Sequence, residues 1–283
     1  MIQRTIDIDR VSAVALKGVR RASAFLGLGV NVSRDPEFSK YQLNDFISLR
    51  VIPDDLGGDE VAKMKDAFEV WIIVNGLREL VETFALFLDR IHTSCLLMAT
   101  SKQALDPDDA NTFGPAFERK GIERKLATLR NRFDIGTDKE TYLASINRAR
   151  NCITHRNGIV GAEDVGDDDV FRLKWWALDF YIETPDGEKI HLKPPYPENG
   201  IYLEDGGTVM MKITDRAVEY SVGDYIRLSP SDLSEICLLF QLSTTEIVKS
   251  TIEYAKGIGI DVRVNQNSVE QDAPAPTLGD KDL

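Results

Sequence analysis

The residues from Asn147 to Gly158 read N-R-A-R-N-C-I-T-H-R-N-G, with three arginines, three asparagines and one histidine in a single stretch. Histidine exchanges protons near neutral pH, and arginine presents a planar fork of donors that matches phosphate oxygens. The two residue types together suit acid–base chemistry at a phosphate centre. On a helix, Asn151 and His155 fall one turn apart on one face, and Arg148, seven residues before His155, shares that face. Arg150 stands about 140° around the axis from His155. It reaches the same phosphate only if the helix loosens, the long arginine wraps, or a second copy of the helix faces the first. The structural alternative is that Arg150, His155 and Arg156 offset the negative pole of a helix C-terminus, a common role for cations in a last turn.

The elements that must hold this stretch are helical. Asp138 to Arg156 has the pattern of a helix that Thr137 or Asp138 caps and Gly158 ends. Gly114 to Phe133, after a D106-P-D-D loop, is expected to be its antiparallel neighbour across the short D-I-G-T-D connection. The longest periodic segment is Asp59 to Gln103, with Val70, Ile73, Leu77, Val81, Phe84, Leu88 and Ile91 along an apolar stripe and a bend expected at Asn75-Gly76. As one helix it would be about 65 Å long, so that part of it projects or meets another subunit. Asp9 to Leu28 forms a first helix closed by G-L-G, followed by a stretch broken at Pro36, Pro53 and Gly57-Gly58.

The pattern changes near residue 163. After the acidic run E-D-V-G-D-D-D, F171-R-L-K-W-W-A-L-D-F-Y-I-E has strand character, T184-P-D-G is a turn, and E188-K-I-H-L returns as a hairpin partner. Further strands are expected at V209-M-M-K-I and Y225-I-R-L. Trp175 and Trp176, adjacent on a strand, must face opposite sides, one to the core and one to an interface. S229-P-S-D then opens a last helix, Pro230 to Lys256, with a cap, a proline at the first helical position and an acid in the first turn. The expected architecture is mainly α: a helical bundle over 1–162, a β-rich insertion over 163–228 that is separable from the core, a helix over 229–257 completing the bundle, and a disordered polar tail over 265–283.

The composition is that of a globular chain: 283 residues, 43% apolar and 28% charged, with a formal charge of -12. The acidic excess lies beyond residue 160, whereas Phe117 to Arg156 holds 10 Lys/Arg against 5 Asp/Glu. Contact with nucleic acid is therefore expected to be local rather than spread over the surface. Cys95, Cys152 and Cys237 have no paired spacing, and the only histidines are His92, His155 and His191, which argues against a disulfide framework, a zinc site or a His-rich metal cluster. The N-terminus has acids where a signal peptide has an apolar core, and no apolar run is long enough to span a membrane, so a cytoplasmic location is expected. Gly206-Gly207 lacks a phosphate-loop context. Cys152 points away from His155 and reads as buried filler, His92 as a core or surface histidine near Asp89, and His191 as a surface side chain.

R150-N-C-I-T-H155, with asparagine directly after the arginine and Gly-Ile-Val beyond the motif, resembles the signature of the HEPN superfamily. The resemblance covers roughly residues 59–160 and the last helix, and leaves the β-rich insertion unexplained. It implies a HEPN-like bundle and a metal-independent endoribonuclease that acts as a homodimer, with two motifs meeting across the interface and no cofactor. Arg150 and His155 would then be catalytic, with Asn151 orienting the phosphate or the histidine. Arg148 also has an allowed spacing to His155, and Arg148 and Arg156 would bind substrate. RNA is the implied substrate, a toxin or defence effector the implied role, and an antitoxin or nucleotidyltransferase the implied partner. Two other readings stand beside it: a HEPN-fold binding or scaffold protein without activity, and an unrelated helical interaction protein.

Overall fold

The computed structural model describes residues 5–39, 57–192 and 200–263; the expected disordered tail and the breaker at Pro53 lie outside the described residues. Among the described residues the architecture is mainly helical, six helices with one three-stranded antiparallel sheet inserted between the fifth and the sixth. Helix α1 (Ile8–Arg34) starts where the Asp7 side chain accepts the Arg10 N–H, and runs straight through Gly27-Leu28-Gly29, which was expected to close it. Its buried side is a single stripe, Ala15, Gly18, Val19, Ala22, Leu26 and Gly29, and that stripe overrides the weak helix propensity of glycine.

Helix α2 (Gly58–Ser101) packs along α1 and is 44 residues, about 66 Å, long. It is unbroken at Asn75-Gly76. Gly76 serves close packing instead: a Cβ there would sit 2.7 Å from a Leu233 methyl. Gly18 plays the same part between α1 and α2, where an added Cβ would lie 1.9 Å from Thr83 Oγ1. No described residue of α2 before Ile73 is buried, so its first turns project beyond the core beside the end of α1, tied there by the Arg34–Glu69 ion pair at 2.8 Å.

The expected single helix Gly114 to Phe133 is two helices, α3 (Pro107–Glu118) and α4 (Ile122–Phe133), separated at Arg119–Gly121. D106-P-D-D is a helix start rather than a loop, because Asp106 caps the Asp108 N–H and Pro107 occupies a first-turn position where its missing donor costs nothing. Helix α5 (Glu140–Arg156) follows without the side-chain cap assigned to Thr137 or Asp138: its N-cap is Lys139, and Thr137 Oγ1 accepts the Lys139 N–H while donating to Glu246. The chain leaves α5 through Asn157 in the left-handed region, φ 53°, and Gly158, φ 83°.

Strands β1 (Val170–Glu183), β2 (Lys189–Leu192) and β3 (Thr208–Ser221) lie in the order β2-β1-β3. Y225-I-R-L is not a strand; Tyr225 makes one isolated bridge to Ile159. In the first half of β1, Phe171, Leu173, Trp175 and Ala177 are buried, and Trp175 donates from Nε1 to Glu235 on helix α6 (Pro230–Gly257) at 2.7 Å. Past Ala177 neither face is buried, and Phe180, Val209, Met211 and Ile213 share an exposed apolar face. The near half of the sheet is thus part of the same hydrophobic core as α2, α4, α5 and α6. Helix α6 starts as the sequence indicates, with Ser229 and Asp232 forming a reciprocal capping box and Pro230 in the first turn. Among the described residues no helix is long and apolar enough to cross a membrane.

Candidate functional site

Helix α5 is anchored by a buried stripe, Leu143, Ile146, Ala149 and Cys152, that leaves its polar residues facing outward. Ser145 Oγ fixes its middle to β1 by donating to the Lys174 carbonyl at 2.8 Å and accepting the Lys174 N–H at 3.0 Å. The C-terminal end is clamped by the segment leading to α6. Ile226 donates to the Gly158 carbonyl, Val160 donates to Asp224, and Gly223 donates back to Val160, each at 2.9 Å. The Tyr225 ring lies on Gly158 so closely that a Cβ there would be 3.1 Å from it. Three backbone bonds of about 1 kcal/mol each hold the segment just past the last turn against the chain that leads to α6.

The predicted site residues fall into three groups. Arg150 and Asn151 are together: Arg150 is half-buried, its Nη1 donates to Asn151 Oδ1 at 3.1 Å, and its Nη2 meets Glu82 Oε1 of α2 at 2.9 Å. The guanidinium thus meets the amide oxygen of the adjacent Asn151 on one side and a carboxylate of α2 on the other. His155 is exposed one turn beyond Asn151, and among the described residues it has no hydrogen bond or ion pair. Arg148 is exposed on the same face. Arg156 stands apart. It pairs with Glu163 at 2.9 Å and with Asp164, which is 7% exposed and also accepts the Gly161 N–H at 2.9 Å. That arginine folds the segment after α5 onto the helix end, and a partner so deeply held leaves it poorly placed to take substrate.

Among the other candidates, Cys152 is fully buried, donates to the Ile159 carbonyl, and has its thiol pushed up chiefly by burial, which makes it filler rather than nucleophile. His92 is 1% exposed and stacked flat on Phe117, ring centroids 3.9 Å apart. Burial, aided by Arg132, Lys120 and Lys125, lowers it to about 4, so it is neutral in the fold. Its neighbour Asp89 is engaged by Lys125 at 2.6 Å. His191 lies on the exposed part of β2, its ring 5.8 Å from that of Tyr181. Trp175 is the core tryptophan, and Trp176 is half-buried with Lys139 Nζ 5.5 Å from its ring.

Sequence reasoning missed Glu82 and its neighbour Arg78, whose Nε lies 3.9 Å from the same Glu82 oxygen. Their four-residue spacing on a polar face was a visible sign of an ion pair. Nothing in the sequence linked that pair to Arg150, 68 residues on. No group of acids, cysteines and histidines able to hold a metal ion occurs among the described residues. No protein-family model matches the chain, and comparison with curated proteins and with solved structures finds no match either.

Proposed function

We propose that the polar end of α5 is a metal-independent RNA-cleaving site of the HEPN kind. In the reaction, the ribose 2'-oxygen forms a bond to phosphorus while the bond from phosphorus to the leaving 5'-oxygen breaks. A base takes the 2'-hydroxyl proton and an acid supplies one to the 5'-oxygen, giving a 2',3'-cyclic phosphate and a 5'-hydroxyl. His155 is the proton-exchanging group, Arg150 stabilises charge on the phosphate, Asn151 orients it, and Arg148 reaches the flanking backbone. One chain brings a single histidine to the site, so the proposed active form is a homodimer in which two copies supply the base and the acid. A toxin or defence effector in the cytoplasm, controlled by an antitoxin or nucleotidyltransferase, is the setting that goes with this chemistry.

The observation that carries the reading is an exposed His155, without a hydrogen bond or ion pair among the described residues, one turn from an Asn151–Arg150 pair at the end of α5. Exposed apolar side chains on the projecting part of α1 and α2, Phe25, Leu28, Phe68 and Trp71, support association of two copies. Incubating the protein with structured and single-stranded RNA in EDTA should yield cyclic-phosphate 3' ends. Light scattering should return a dimer, and a mass near 31.7 kDa at micromolar concentration would contradict the homodimer. The competing reading, a binding or scaffold protein on the same fold, is favoured by the commitment of both Arg150 and Arg156 to carboxylates. It predicts RNA or partner binding without cleavage.

A further inference from the structure

We propose that Arg78 and Arg150 form a two-arginine phosphate clamp, and that Glu82 occupies it in the free chain. This inference rests on the reading of the α5 end as a phosphate-handling site and extends it onto α2, where neither composition nor motif placed a functional residue. A single oxygen, Glu82 Oε1, takes Arg150 Nη2 at 2.9 Å and Arg78 Nε at 3.9 Å, so two guanidinium groups from different helices converge on one negative point. Convergence of this kind is what a phosphate oxygen requires.

The occupant is loosely held. The side chains of Glu82 and Arg78 are 49% and 45% exposed, and an exposed pair of this type contributes no more than about 1 kcal/mol. An incoming phosphate, with several oxygens to share between two forks, displaces such a carboxylate at little cost. Arg150 Nε is buried without an acceptor among the described residues, so the guanidinium meets an anion through its Nη edge, where Nη2 now holds Glu82. Its Nη1 holds Asn151 by the oxygen, which fixes the asparagine beside the point where the phosphate arrives. The contrast with Arg156 is informative: its partner Asp164 is buried and tied to the backbone as well, so that arginine is a structural staple. Glu82 therefore acts as a built-in competitor. It keeps Arg150 ordered in the free chain and sets the threshold that an anion must exceed to enter.

The test measures binding of a short fluorescent single-stranded RNA by anisotropy across a salt series, for the wild type, Arg78→Ala, Glu82→Gln and Arg90→Ala, an exposed α2 control. Arg78→Ala should weaken binding roughly tenfold and reduce the salt slope by about 0.7, the loss of one phosphate contact on a single strand. Glu82→Gln should tighten binding several-fold, and Arg90→Ala should match the wild type. Equal binding by Arg78→Ala and Arg90→Ala, or weaker binding by Glu82→Gln, would overturn the clamp. Inorganic phosphate titrated against the arginine Nε–H signals of the full chain gives an arm independent of RNA. Shifts at Arg78 and Arg150 that grow in Glu82→Gln support the clamp, and silence at both overturns it. Wild-type protein that binds no RNA would overturn the RNA reading while the phosphate titration alone decides the clamp.

Discussion

His92 and His155 are the same residue under opposite conditions. His92 lies inside the core on α2, flat against Phe117, and burial keeps it neutral. His155 sits in solvent at the end of α5, with no partner among the described residues, on a helix turn followed by a segment that backbone bonds tie to the chain before α6. The core supplies a histidine with packing and removes its proton chemistry, whereas the helix end leaves its histidine exposed and without packing. A residue free of structural duty at a rigid position is available for function, and one that fills the core is not.

The largest effect that could break this comparison is on stability. His92→Ala should cost roughly 3 kcal/mol, because it removes a ring from a close-packed site, whereas His155→Ala should cost no more than about 1 kcal/mol. Thermal or denaturant unfolding of the two variants measures the difference directly. Similar losses would mean that the end of α5 is a structural element after all.

Acid should separate them next. The folded value of His92 is about 4 against an unfolded value near 6.5, so the unfolded chain binds the proton more readily. Stability from this group is complete above about pH 6.5 and is lost as the pH falls toward 4, by roughly 3 kcal/mol in all. In His92→Phe, which keeps a ring on Phe117, unfolding curves between pH 7 and 4 should lose most of this slope, and in His155→Ala they should keep it.

A smaller effect sharpens the line within the helix end itself. Arg156→Ala should cost about 2 kcal/mol, since it leaves the carboxylate of Asp164 buried without its cation. Arg148→Ala, on an exposed side chain with no partner among the described residues, should stay within about 0.5 kcal/mol of the wild type. Equal costs would remove the distinction between staple and free cation.

Much of the fold could be read wherever a local signal decides the structure. S229-P-S-D and D106-P-D-D carry the same message, a capping side chain followed by proline and an acid, and both open helices. Only the first was expected to, because the apolar run after Ser229 is plain and the one after Asp106 is broken by Gly114-Pro115. Gly27-Leu28-Gly29 looked like a stop, yet α1 runs through it and Gly29 packs against Ile72 of α2, since glycine lets one helix approach another as readily as it ends one. At the candidate site, the type and spacing of Arg150, Asn151 and His155 were legible. The orientation of Arg150 toward Asn151 was not, because it is set by Glu82 from another helix, and neither was the role of Arg156, set by acids beyond the helix end. The burial of Trp175 beside a half-exposed Trp176 follows from alternation along β1, yet only the packing of α6 on that face shows that the first half of the strand completes the core.

The central claim is that the exposed end of α5 does chemistry on RNA, and one measurement bears on it most directly. Wild type, His155→Ala and Arg150→Ala, each verified as folded, are incubated with the same RNA in EDTA and the 3' ends are analysed. The account predicts cyclic-phosphate ends from the wild type and at least a hundredfold less from either variant, in keeping with the loss of a positioned acid–base or charge-stabilising group. Cleavage by the wild type that persists undiminished in His155→Ala, or no cleavage by the wild type on any substrate, would contradict it.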